Sequence, residues 1–161
     1  MKFYIYSLGC KVNSYESNVM KDNLINNGFV FSDIDDADIV IINSCSVTNS
    51  ADNKTMKLIR HVRSNFDVIL VVVGCFIQSH KDSLDGIDAD ILIGNKNKSV
   101  ISNYINRFLV DRKRIIDLYD VSNIDFEVMK LNNYDHTRAF VKIQDGCNNF
   151  CSYCIIPYTR G

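Results

Sequence analysis

Six cysteines fall into two sets of three, and both sets have spacings that suit metal chemistry. Cys10, Cys45 and Cys75 are dispersed, each standing directly after a short apolar run and one small residue or two. Cys147, Cys151 and Cys154 share one stretch with the spacing C-x3-C-x2-C. Thiolates held together repel, and a cation or cluster removes that cost by keeping them deprotonated. A structural zinc site wants four protein ligands, and His61, His80 and His136 stand away from both sets. A zinc knuckle would need a second pair, and a ferredoxin run a fourth cysteine. Three thiolates without a fourth suit an iron–sulfur cluster with one iron open to outside chemistry. A single cysteine also reads as a small core residue, so position has to decide.

The elements around the first set supply that position. Residues 2–8 (KFYIYSL), 38–43 (DIVIIN), 67–73 (DVILVVV) and 90–93 read as strands. Helices are expected over residues 14–27, 51–66 and 98–109, with a short one after Cys75. Asn13, three residues before Glu16, suits a capping box, and Gly28 closes the far end of that helix. Alternating strands and helices, with strands apolar on both faces, predict an α/β domain. Its fold class is a doubly wound parallel sheet, Rossmann- or flavodoxin-like, over residues 1–110. All strand-to-helix loops of such a sheet share one edge, where ligands collect. Neighbouring strands are about 4.8 Å apart, so the three thiols are expected within on the order of 10 Å of each other.

Residues 111–135 are mixed and polar and read as a connector. A second domain is expected from residue 136, opening with a strand over residues 138–144 (RAFVKIQ) that leads into the second cysteine loop. One strand and one loop cannot bury their own faces. The expectation is therefore a truncated second domain, and no turnover by the 161 residues alone.

Composition bounds the remaining classes. With 47% hydrophobic and 23% charged residues, one proline and seven glycines, disorder and collagen-like structure are excluded. Eighteen basic against nineteen acidic residues give a net charge of −1, so the chain is no basic nucleic-acid coat. Lys54, Lys57, Arg60 and Arg63 could meet phosphates, although a solvated helix face explains them equally simply. No apolar run approaches the roughly 18–20 residues of a membrane span, and the start lacks a signal peptide's apolar region. Cysteines in that setting point to a cytoplasmic address and no membrane.

C-x3-C-x2-C after a strand, with Tyr153 just before the last cysteine, resembles the signature of radical S-adenosylmethionine enzymes. Residues 141–147 (VKIQDGC) and 155–161 (IIPYTRG) resemble the methylthiotransferase family among them. So do residues 8–16 (LGCKVNSYE), 43–48 (NSCSVT), 73–75 (VGC) and 94–96 (GNK). Cys-Lys-Val-Asn followed by Tyr-Glu is most similar to the branch acting on N6-threonylcarbamoyladenosine in tRNA. The branch acting on isopentenyladenosine tends to have Cys-Gln-Met-Asn there, and a third branch acts on a ribosomal protein.

The resemblance implies the start of a radical S-adenosylmethionine barrel after the α/β domain, two [4Fe–4S] clusters and S-adenosylmethionine. It implies that Cys147, Cys151 and Cys154 hold the cluster whose open iron binds S-adenosylmethionine. Cys10, Cys45 and Cys75 then hold the auxiliary cluster that carries the sulfur. Tyr153 is the candidate to pack against the cofactor's adenine, and no side chain is expected to act as a catalytic acid or base. The implied activity is transfer of a methylthio group to C2 of the modified adenosine, with a tRNA and an electron donor as partners. A non-catalytic iron–sulfur protein and a zinc-stabilised nucleic-acid-binding module are the alternatives outside that family.

Overall fold

Successive side chains of a strand point to opposite faces, and in this protein both faces are apolar. The computed structural model describes residues 1–121, 127–131 and 140–161; His136, much of the expected connector and the start of the expected strand over 138–144 lie outside them. Six strands form one wholly parallel sheet: β1 (Lys2–Ser7), β2 (Val30–Phe31), β3 (Ile39–Ser44), β4 (Ile69–Gly74), β5 (Ile91–Ile93) and β6 (Ile115–Asp117). Their spatial order is β2-β1-β3-β4-β5-β6. The helices are α1 (Lys11–Asn26), α2 (Asn49–Asn65), α3 (Cys75–Ser79), α4 (Ile101–Asp111) and α5 (Ile156–Arg160).

On one face, Ile39, Ile41, Val71, Val73, Ile91 and Ile93 form a buried cluster with Met20 and Leu24 of α1 and Ile105 and Phe108 of α4. On the other, Val40, Ile42, Leu70, Val72 and Leu92 cluster with Ile59 and Val62 of α2 and Phe76 and Ile77 of α3. Helices thus cover both sides, which is the doubly wound architecture. From β1 the chain crosses to β2 on one side and then returns to β3 on the other. The order reverses between β1 and β3, where parallel sheets of this class open a crevice at their carboxyl ends.

The ends of α1 separate local from long-range causes. Its carboxyl end follows from local sequence: Gly28 has φ +85°, its amide donates to Ile25 O at 3.0 Å, and the Phe29 amide donates to Leu24 O at 3.0 Å. Those two bonds make a Schellman closure, for which glycine is suited because it has no Cβ. The amino end differs from the capping-box expectation. The helix starts at Lys11, its cap residue Cys10 makes no side-chain capping bond, and Asn13 and Glu16 are buried inside it.

Three further elements differ from the sequence reading. β2 and β6 have only two and three residues, too few to leave an apolar run, and β6 brings Ile115–Asp117 into the sheet beyond residue 110. Residues 140–144, expected as strand, join no ladder among the described residues. Lys142 of this segment turns inward to Glu16. Residues 127–131 lie against the domain, with Met129 beside Tyr15 and Val19 and with Glu127 accepting from the Asn97 and Ser99 amides.

Ile41→Ala is expected to destabilise the protein by about 2–5 kcal/mol, because it opens a cavity beneath α1 and α4. Val110→Ala, at a position 83% exposed, is expected to stay within about 0.5 kcal/mol. Urea unfolding of the two variants checks both values.

Candidate metal centre

β1, β3 and β4 are neighbours in register, with Ser7 opposite Asn43 and Ser44 opposite Gly74. Their carboxyl ends are therefore level, and Cys10, Cys45 and Cys75 follow them within a few residues. All three lie along one edge of the sheet, Cys45 and Cys75 buried and Cys10 exposed. Two glycines make the close approach possible. Gly9 has φ +92°, and a Cβ there would stand 2.4 Å from Cys45 Cβ and 2.6 Å from its Sγ. Gly74 has φ +106°, and its Cβ would stand 2.7 Å from Ser44 O. Side chains at either position would drive the first and second loops, or the second and third, apart.

Burial pushes the Cys45 thiol up from its ordinary pKa; the Val47 amide pulls against this, and the Cys75 and Cys10 thiols push it up further. Cys45 thus lies near enough to the other two thiols to feel them both. Among the described residues, no three Cys, His, Asp or Glu side chains already converge as ligands of a single ion. A cubane cluster asks for something different, since each thiolate binds its own iron and the ligands stand farther apart. Three thiols at one glycine-cleared crevice, without a histidine, fit that group.

Asparagines tie two of the thiols in place. The Cys10 thiol donates to Asn13 Oδ1 at 3.7 Å, while Asn13 Nδ2 donates to Leu8 O and Ser44 O, both at 2.8 Å. Asn95 Nδ2 lies 3.3 Å from Cys75 Sγ and Asn95 Oδ1 3.6 Å from it. In the second set, the Cys147 amide donates to Gly161 O at 2.7 Å and the Cys154 amide to Cys151 O at 2.9 Å. This loop is more open: Cys151 is exposed, Cys147 and Cys154 are half-buried, and Tyr153 is 90% exposed.

Sequence reasoning reads Glu16 as a helix cap or as shaping the site near Cys10, but misses the buried charge cluster around it. Glu16 and Lys98 are both fully buried and lie 2.6 Å apart. Lys98 Nζ also donates to Asn43 Oδ1 at 3.2 Å and Asn95 Oδ1 at 3.1 Å, so all three of its protons have acceptors. Arg160 grips Glu16 with both guanidinium nitrogens, Nη1 to Oε1 at 2.8 Å and Nη2 to Oε2 at 3.2 Å. Lys142 reaches Glu16 Oε1 at 3.2 Å. Burial alone would raise the Glu16 pKa, but Lys98, Arg160 and Lys142 outweigh it and hold the carboxyl well below the usual range. A faint signal was present: Asn13, Glu16, Met20 and Leu24 recur at helical spacing on the core face of α1.

The remaining candidates have structural roles. Arg63 bridges α2 to the sheet through Asp90 at 2.7 Å and Val68 O at 3.0 Å. His80 stands between Ser79 Oγ at 2.9 Å and Asp52 Oδ2 at 3.5 Å. Lys54, Lys57 and Arg60 remain on the exposed face of α2. No helix among the described residues is long and apolar enough to cross a membrane.

The fold and site define a doubly wound α/β domain that gathers three cysteines where its strand order reverses. The model of uncharacterized protein family UPF0004 matches residues 2–94, from β1 through β5, and the chain belongs to that family. It is 38% identical, over 97% of its length, to the threonylcarbamoyladenosine tRNA methylthiotransferase MtaB of Bacillus subtilis, covering 36% of that protein. The MtaB of Aquifex aeolicus is 32% identical over 100% of this chain, which covers 40% of it. The tRNA-2-methylthio-N(6)-dimethylallyladenosine synthase of Petrotoga mobilis is 36% identical over 100% of this chain, which covers 38% of it. The chain thus spans well under half the length of these relatives.

Two outcomes follow from the site. Gly9→Ala is expected to cost on the order of 1–3 kcal/mol in a chemical melt, since it strains the backbone and collides with Cys45. The depressed Glu16 pKa contributes stability that is present above the unfolded glutamate pKa of about 4.3 and lost as pH falls toward the folded value. Urea midpoints measured from pH ~5 down to ~2 should therefore fall less steeply in Glu16→Gln than in the unaltered protein.

Proposed function

We propose that this chain is the amino-terminal part of a tRNA methylthiotransferase. The reading is carried by three cysteines at the level ends of three adjacent parallel strands, in a chain similar to relatives named for that activity. Cys10, Cys45 and Cys75 would hold one [4Fe–4S] cluster, and Cys147, Cys151 and Cys154 a second. When bound, such clusters supply, with S-adenosylmethionine, the one-electron and sulfur-transfer chemistry that no side chain provides.

The chain's own residues do the positioning. Gly9 and Gly74 clear the crevice, and Asn13 and Asn95 orient two of the three thiols. Such outer hydrogen bonds fix how metal ligands point. Tyr153, on the open loop of the second set, would cover the adenine of S-adenosylmethionine. The substrate on this reading is the N6-threonylcarbamoyladenosine of a tRNA, and an electron donor is a further partner. The cytoplasm, where thiols stay reduced, is the compartment that suits it.

Anaerobic reconstitution with iron and sulfide, followed by metal and acid-labile sulfide analysis, tests the cofactor reading. Iron with matching sulfide is expected, and tight zinc in its place would overturn it. Alanine at Cys147, Cys151 and Cys154 together should leave roughly half the iron, because each set holds its own cluster. For the substrate, the full-length protein is produced in Bacillus subtilis lacking its MtaB, and tRNA nucleosides are read by mass spectrometry. Return of the methylthio form of threonylcarbamoyladenosine supports this branch; methylthiolation of dimethylallyladenosine alone in a host lacking that synthase would move the protein to the other.

A further inference from the structure

The two cysteine sets are joined by one continuous polar path. Asn13 Oδ1, which accepts from Cys10, also accepts from Arg160 Nη2 at 3.0 Å. Asn95, which contacts Cys75, accepts from Lys98 Nζ at 3.1 Å and donates to Thr159 O at 2.8 Å. Lys98 holds Glu16, and Glu16 holds Arg160 and Lys142. Arg160 Nη1 also reaches Asp145 Oδ1 at 2.7 Å, two residues before Cys147. Glu16 sits at the centre of this path, in direct contact with Lys98, Arg160 and Lys142.

We propose that Glu16 is a positioning residue that sets the register between the two cysteine-bearing segments, holding residues 145–161 against the carboxyl edge of the sheet. Among the described residues it is the one anion that touches cations from both sides. Lys98 comes from the turn after β5, while Lys142 and Arg160 come from the segment around the second set. Asp145, the other acid in the cluster, pairs among the described residues only with that second segment. If the Glu16 charge is removed, three buried cations face one carboxylate. Removing one partner of a buried pair leaves uncompensated charge in a medium that solvates it poorly. The sheet cannot move, since its core is packed on both faces, so release falls on the segment carrying Arg160 and Lys142. The meaning of this register for sulfur transfer rests on the two-cluster reading above. The coupling itself does not, and it is tested without metal.

The test uses the metal-free protein and the variants Glu16→Gln and Arg160→Gln, followed by hydrogen–deuterium exchange and by alkylation of Cys75 with iodoacetamide. In both variants, amides of residues 145–161 are expected to exchange at least tenfold faster. Cys75 should also alkylate at least tenfold faster as Thr159 leaves Asn95. Amides of β3 and β4 should keep their protection, and the double variant should add little to either single one. Arg160→Lys, which keeps a cation within reach of Glu16, should retain most of the protection that Arg160→Gln loses. Unchanged exchange and alkylation would overturn the proposal. So would loss of protection in β3 and β4 together with the segment, or equal effects of Arg160→Lys and Arg160→Gln. Iron content is measured separately, so a failure of the cluster reading leaves this result standing on its own.

Discussion

Parallel direction is the constraint from which the rest follows. β1, β3 and β4 are adjacent and start and stop at the same level. A residue placed just after any one of them has no choice of edge, because every strand exits on the same side. Three cysteines far apart in the chain become neighbours with no contact between their own local sequences. Two glycines with positive φ remove the only atoms that would hold the loops apart. The thiols then share a crevice in which Cys75 and Cys10 make Cys45 harder to ionise, a condition that a bound cationic cluster core would relieve.

The sheet could be read from the sequence where it is most buried. β3 and β4 open on uninterrupted runs of isoleucine, leucine and valine, over residues 39–42 and 69–73, and both faces of those runs are covered. β2 and β6 could not be read, because two or three residues at a sheet edge leave no period to detect. The cysteines were legible for a different reason: residue type and spacing name their chemistry before any fold is known. Glu16 was not. Its distance from Asn13 matched a local capping pattern, while its partners Lys98, Lys142 and Arg160 lie far along the chain. Long-range charge pairing leaves no signature in a short window.

The expected strand over residues 138–144 makes the same point from the other side. A β-branched and aromatic run predicts a strand only if a partner ladder is available. In residues 140–144, Lys142 instead pairs with Glu16 and Asp145, and Phe140 packs against the Tyr15, Val19 and Met129 cluster.

The sheet's borders have a consequence of their own. An open sheet presents unpaired amides and carbonyls along each outermost strand, which invite a stranger's strand to add on. Here the border at one side is only Val30–Phe31, followed by an acidic turn containing Asp33, Asp35 and Asp36. At the other it is Ile115–Asp117, whose last residue is engaged by the Tyr104 hydroxyl and by Asn97. Neither offers a length of backbone on which a second chain could zip up. A core this rich in valine and isoleucine would otherwise be a hazard at high concentration, and its truncated margins leave little edge for a strand of another copy to extend.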